Sequence, residues 1–454
     1  MTIDSREVLL DELATVLQND PGALDATDPR YVPGLHGTGA EDVVLTLARS
    51  IRRTTGSQLY YFSGQRGTGK STELRRLAVE LNGLSRTKAF IVDVLEYIGE
   101  SHPIRTIDLL LVTALAFADR LSASDAFGAD FRSESVASRF GQWLQSDVQI
   151  TSLTLGGAKM EFKRQQQSIL QHIRDFDLAR EERTLAQCRE YIREMAVAVR
   201  QRFQVDKVVL LVDSLERLRG VGDSAAADMF NRVVKLFDAD REHLRLPELQ
   251  VVYAVPPYLP YLTNVGQYVS LSMLASVRVC EPPAKARRQP REQGLQVMRR
   301  VLDRRFPRWA ELVSPEALDL LALRSGGDLR QLLRRFLLDA MDQGYYALER
   351  LPLQADDPIV TTVIDRHRVE FESMVTRDEY ALLHAIAAVN ALDLPRRSDW
   401  PTVARFFDIR AVLNYRNGVE WLDLNPLLWP LIERFAPVSD DTGSVSAPSG
   451  SAAA

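Results

Sequence analysis

The stretch Gly64-Gln-Arg-Gly-Thr-Gly-Lys-Ser71 sets three glycines ahead of a Lys-Ser pair, with Gly64 and Gly69 in the spacing GxxxxGKS. Glycines there let successive backbone N–H groups turn inward around a phosphate. Lys70 is placed to meet β- and γ-oxygens, and the Ser71 hydroxyl to ligand Mg²⁺. Thr72 follows at the start of a helix-like run, whose positive end would face the anion. Gly64, Gln65, Arg66, Gly67, Thr68, Gly69, Lys70, Ser71 and Thr72 are therefore assigned to a bound nucleoside triphosphate, ATP with Mg²⁺. The bland alternative is a glycine turn with a chance lysine; the apolar run before the loop and the helical run after it weigh against that. A second signal is Val208-Val-Leu-Leu-Val-Asp213, a continuous apolar strand ending in an acid. Asp213 is expected to hold the Mg²⁺, together with Ser71.

Strands are expected at Leu59–Phe62, Lys88–Glu96, Lys207–Asp213, Leu249–Val255 and Ala275–Cys280, with helical runs between them. Continuous apolar strands alternating with helices predict an α/β fold: a parallel five-stranded P-loop sheet flanked by helices. The expected organisation is an N-terminal helical segment (1–30) and a core (31–283) with an insertion at about 124–203. A helical lid (284–350), a small domain (377–436) and a disordered tail (437–454) follow. Val148–Phe162 reads as a β-hairpin turned at Gly156-Gly157. Ser314 and Pro315 predict a capped helix start.

Glycine loop, acidic strand and the later Ser325-Gly-Gly-Asp-Leu-Arg330 together resemble the AAA+ and STAND branch of P-loop ATPases, especially its origin-recognition type. The resemblance covers roughly residues 28–345, and the 377–436 region loosely resembles the winged-helix domain that such proteins carry after the lid. It implies that Glu216 polarises the attacking water; a helix-start carboxylate paired with Arg217 or Arg219 is the other reading. It also implies that Arg330 swings from the lid onto the γ-phosphate, against the alternative of a surface arginine, and that Tyr31 and Val32 border the base pocket. Asp213, Glu216 and Arg330 are thus the candidate catalytic set. Two features depart from the family pattern. Val255-Pro-Pro257 puts no polar side chain where the fourth strand ends, and no arginine lies between Leu249 and Val277 to serve a neighbouring subunit. Slow turnover suited to a switch is expected from both.

The 454 residues carry a net charge of −5, which argues against coating by nucleic acid. A basic run (Lys285, Arg287, Arg288, Arg291, then Arg299, Arg300, Arg304, Arg305 and Arg308) leaves three uses open: nucleic-acid phosphates, a neighbour's nucleotide, or a solvated helix face. Residues 377–435 hold seven arginines against eight carboxylates, net −1, so a protein-binding wing is favoured over a DNA-reading one. Two isolated cysteines exclude a disulfide framework and fit a reducing cytoplasm. No apolar run reaches the ~20 residues of a membrane span. The expected partner is an effector protein, with anti-phage defence as a setting that the resemblance alone suggests; homo-oligomerisation stays open. The alternatives are a DNA-binding ATPase of origin-recognition type and a scaffold that binds ATP without hydrolysing it.

Overall fold

The computed structural model describes residues 3–19, 22–123, 135–149, 172–173, 175–220, 223–282, 288–393 and 396–434. Its centre is a parallel sheet of β1 (Gln58–Gly64), β2 (Thr87–Asp93), β3 (Lys207–Asp213), β4 (Gln250–Val255) and β5 (Ser270–Leu274). The spatial order is β2-β3-β4-β1-β5. Strand β4 therefore separates the glycine-loop strand from the acidic strand. The register pairs Asp93 with Asp213 and Ser63 with Val255, so loop and acids emerge at one edge of the sheet. Crevices at that edge are where open α/β sheets bind ligands.

After an N-terminal helix α1 (Ile3–Gln18), helices α2 (Val43–Arg53), α3 (Lys70–Asn82), α4 (Thr106–Ser122), α5 (Ser135–Ser146), α6 (Leu178–Phe203) and α7 (Asp223–Val234) build the layers around this sheet. One face packs on α2 and α3 through Leu47, Leu74, Leu77 and Leu81. The other packs on α4 and α6, where Leu185, Cys188, Ile192, Met195 and Val199 recur at helical spacing and are buried. Helix α4 is buried on nearly every side. Truncating Leu111 to alanine should cost about 2–5 kcal/mol. The expected hairpin at 148–162 lies almost wholly outside the described residues, as does the tail at 437–454.

The fifth strand is not where the sequence suggested. Ala275–Cys280 is buried but leaves the sheet. The Ser276 amide donates to the Asn414 carbonyl (3.0 Å), and the Arg291 amide to Val279 (2.8 Å). Burial in this linker comes from the lid and the C-terminal domain, which mimics the apolar run of a strand. Arg278 consequently sits in the linker after β5 rather than inside it.

The lid comprises α8 (Glu292–Arg305), α9 (Pro315–Arg324) and α10, which runs Leu329–Gln331, a π-bonded Leu332–Leu337 and Leu338–Gly344. Ser314 caps α9 by accepting from the Ala317 amide (3.1 Å). Helix α1 packs on α10, so the N-terminal segment belongs spatially to the lid. Beyond it, α11 (Pro358–Ser373), α12 (Tyr380–Val389), α13 (Trp400–Asp408), the hairpin β6 (Val412–Asn417) and β7 (Val419–Leu424), and α14 (Trp429–Arg434) build the small winged-helix-like domain. Gly418, at φ 75°, turns the hairpin.

Candidate functional site

Strand β1 ends at Gly64, and α3 starts at Lys70, with Gly67 and Gly69 at φ 92° and 90° between them. A side chain at Gly67 would also collide with the lid: a Cβ there would lie 2.4 Å from Asp328 Oδ1. Buried Lys70 donates from Nζ to the carbonyls of Gly64 (2.8 Å) and Gln65 (2.9 Å) and pairs with Glu216 at 3.3 Å. Glu216 is brought there by Ser214, held at φ 76° and ψ −3°. That conformation costs a non-glycine residue about 1 kcal/mol or more, and here it folds the chain after β3 back toward the loop. Among the described residues, buried Glu216 Oε2 has no hydrogen-bond partner. Burial first, then the charge of Glu216, push Asp213 up to about 6, with a hydrogen bond to Ser71 opposing.

These groups open onto a cavity of about 290 Å³. Its walls include Arg66, Gly67, Gly69, Lys70, Ser71 and Thr72 from the loop, Asp213 and Glu216 from the acidic side, Tyr31 and Val32 from the N-terminal loop, and Arg330 from the lid. Gly64, Gln65 and Thr68 are the loop residues that do not line it. Gly64 serves through its carbonyl. The Gln65 side chain is turned away, its amide donating to the Val412 carbonyl and its oxygen accepting from Ser276 Oγ (3.2 Å). Thr68 Oγ1 donates to the Gln65 carbonyl (2.8 Å). Tyr31 donates to Glu73 (3.1 Å), and the Leu24 amide to Thr72 Oγ1 (3.0 Å), which fastens the N-terminal loop over α3.

The end of β4 contributes nothing to the lining. Ser63 Oγ donates to the Pro256 carbonyl there (3.2 Å), inside the protein.

Several site residues escaped the sequence reading. Asp93 lines the cavity beside Asp213, and burial raises its pKa. Its only signal was a second apolar strand ending in an acid. Glu100 gathers Arg66 (3.7 Å), Arg217 and Arg219 (3.2 Å); Arg66 and Arg217 line the cavity. Burial, with like charge from Arg410, Arg334 and Arg217, disfavours the charged form of Arg330. Asp328 caps α10 by accepting from the Arg330 (2.8 Å) and Gln331 (3.0 Å) amides, and it also binds Arg410.

The residues fit a magnesium nucleotide. Lys70, held by two carbonyls and Glu216, and the arginines gathered on Glu100 give the site a cationic side, inward-turned glycines offer N–H donors, and Ser71 and Asp213 form an oxygen pair. Lys70, Gly67, Gly69 and Ser71 would hold the phosphates, and Ser71 with Asp213 the Mg²⁺, which when bound neutralises phosphate charge. Orphaned Glu216 Oε2 is an acceptor suited to a water.

Strand order, phosphate loop, acidic strand end, helical lid and winged-helix-like domain together define an α/β P-loop fold suited to a nucleoside triphosphate. No family model and no curated protein matches the chain. Among solved structures, the ORC2 protein of Aeropyrum pernix is similar in its ADPNP–ADP complexes, at 10% identity over 90% of this chain and 97% of that one, TM-score 0.33. The ADP form of that protein gives 12%, 92%, 96% and 0.35. Cdc6p from Pyrobaculum aerophilum gives 12%, 91%, 98% and 0.30. At such TM-scores the likeness adds nothing to what strand order and loop geometry carry.

Proposed function

We propose that this chain binds ATP with Mg²⁺ between the sheet edge and the lid, hydrolyses it slowly, and thereby switches the surface its winged-helix domain offers to a protein partner. The observation that carries this reading is Asp328. One carboxylate on the lid presses on Gly67 of the phosphate loop and holds Arg410 of the winged-helix domain. A lid that shifts with nucleotide therefore pulls on that domain. The same junction includes Gln65 with Val412 and Tyr415 Oη donating to the Gly326 carbonyl (2.8 Å). Gly326 and Gly327 make it possible with φ 64° and 81°; a Cβ on Gly326 would lie 2.3 Å from Leu413.

A DNA-reading role is the weaker alternative. Helix α13, which precedes the wing, packs against α7 of the core, and Phe407 stacks on Tyr261 at 5.5 Å. The basic run is largely engaged within the chain: Arg288 with Asp423, Arg299 with Asp319, Arg308 with Glu311. Lys285 and Arg287 lie outside the described residues. No helix among the described residues is long and apolar enough to cross a membrane. An effector protein as partner, a defence setting and self-association remain expectations without a residue of their own.

Calorimetry with ATP on wild type and Lys70→Ala tests the reading, paired with duplex-DNA binding across a salt series. The switch reading requires tight ATP binding that Lys70→Ala removes, and DNA binding that stays weak. A steep salt slope with ATP-dependent DNA affinity would favour the DNA role instead.

A further inference from the structure

A second cavity, of about 400 Å³, lies behind the loop 34–38, whose Leu35 and His36 it shares with the nucleotide cavity. Three guanidinium groups meet in its walls, each from a different part of the molecule. Arg278 comes from the linker after β5, Arg291 from the entry to the lid, and Arg416 from β6 of the wing. The N-terminal turn of α8, through Gln293 and Gly294, adds the positive end of a 14-residue helix.

Among the described residues, Glu41 and Glu281 are the carboxylates paired with Arg278 and Arg291. Glu41 is the one carboxylate in the lining; it stands 3.7 Å from Arg278 and is half exposed. Glu281 reaches Arg291 only at 4.0 Å. Arg416 is exposed, with no ion-pair partner among the described residues. Burial first, then the like charge of Arg291, disfavour the charged form of Arg278, with Glu41 and Glu281 opposing. Arginine forks match phosphate oxygens in pairs, and a concave pocket of this size suits a small molecule better than a duplex backbone.

We propose that this cavity binds a small phosphate-bearing ligand of two or more negative charges, separate from the nucleotide held by the phosphate loop. Because its three arginines belong to linker, lid and wing, an occupant ties the winged-helix domain to the rest of the chain. Through His36, whose ring nitrogen Nδ1 hydrogen-bonds with the Ala275 carbonyl (2.9 Å), it also braces the wall of the nucleotide cavity.

Inorganic pyrophosphate is the probe, titrated calorimetrically into the full chain saturated with ADP and, separately, into Lys70→Ala without nucleotide. The expected result is one pyrophosphate per chain in both, weakened at least about tenfold by Arg416→Gln and by Arg278→Gln. Arg416 is exposed on the wing, so its variant leaves the fold intact and keeps the test decisive if Arg278→Gln folds poorly. Lys70→Ala separates this site from the phosphate loop, so a failed nucleotide assignment leaves the result readable. Absence of pyrophosphate binding up to about 1 mM overturns the proposal. Binding that ignores Arg416→Gln does so as well. A 12-base-pair duplex that binds with the same arginine dependence, where pyrophosphate does not, overturns it in favour of a nucleic-acid contact.

Discussion

Lys70 and Glu216 hold each other at 3.3 Å in a buried site, so Lys70 must exchange that carboxylate for phosphate when a nucleotide arrives. Coulomb's law at an effective dielectric of about 20 gives about 5 kcal/mol for unit charges at this separation. Much of that is offset, because Glu216 stays near the loop and both charges are already desolvated. We expect a net cost to ATP binding of about 1.4–2.8 kcal/mol, which Glu216→Gln should lift, tightening ATP about 10- to 100-fold. If Glu216 also orients the attacking water, phosphate release in the same variant should fall by roughly 10²–10⁴. Calorimetry with ATP and single-turnover phosphate release measure the two effects separately. Weaker or unchanged ATP affinity would refute the competition argument, and unchanged release would move the base elsewhere, with Asp93 the next acid in reach. Lys70→Ala should abolish tight ATP binding and also lower stability, because it leaves Glu216 buried without its cation. A Lys70→Ala chain as stable as wild type would count against the ion pair.

Turnover of the chain alone should fall below the ~1–100 s⁻¹ of efficient phosphoryl-transfer enzymes, since the end of β4 offers no polar side chain to the cavity; tens per second without a partner would contradict this. Arg330→Ala should leave ATP bound by Lys70 and Asp213 but abolish the nucleotide dependence of partner binding; preserved dependence would make it ordinary surface charge. Burial pushes Asp408, on α13 against the core, from 3.8 up to about 8, with Arg219 and Arg66 opposing. The folded chain therefore binds more protons than the unfolded one between those values, and its contribution to stability is lost as pH rises through about 8. Asp408→Asn should flatten the decline in thermal midpoint between pH 6 and 8.5; an unchanged profile would remove Asp408 as its cause.

Much of this site was legible because its chemistry is local in sequence. The phosphate loop needs glycines and a lysine at fixed spacing, and β3 had to be apolar throughout because strands cover it on both sides and helices on both faces. Where reading failed, tertiary context had replaced local signal. Ala275–Cys280 is apolar for the sake of the lid and wing rather than the sheet. Gln65 looked like one more phosphate-loop residue, yet its amide reaches Val412, 347 positions away. Asp328 looked like a helix cap, which it is; that the same carboxylate also meets Gly67 and Arg410 depends on how the lid folds over the loop. Nothing in the spacing of Arg278, Arg291 and Arg416 announces that they share a cavity.

The central claim is that nucleotide state moves the winged-helix domain, and a distance across that junction tests it most directly. Labels on Val79→Cys of α3 and Val419→Cys at the wing tip use two exposed positions on the bodies concerned. Both native cysteines are buried and should resist labelling. Without nucleotide or with ADP, the account predicts a single distance population that matches the docked domain. ATP with Mg²⁺ should add a second, displaced population, which disappears in Lys70→Ala and persists longer in Glu216→Gln. One unchanged distribution under ATP, ADP and no nucleotide, in a chain shown to bind ATP, would contradict it.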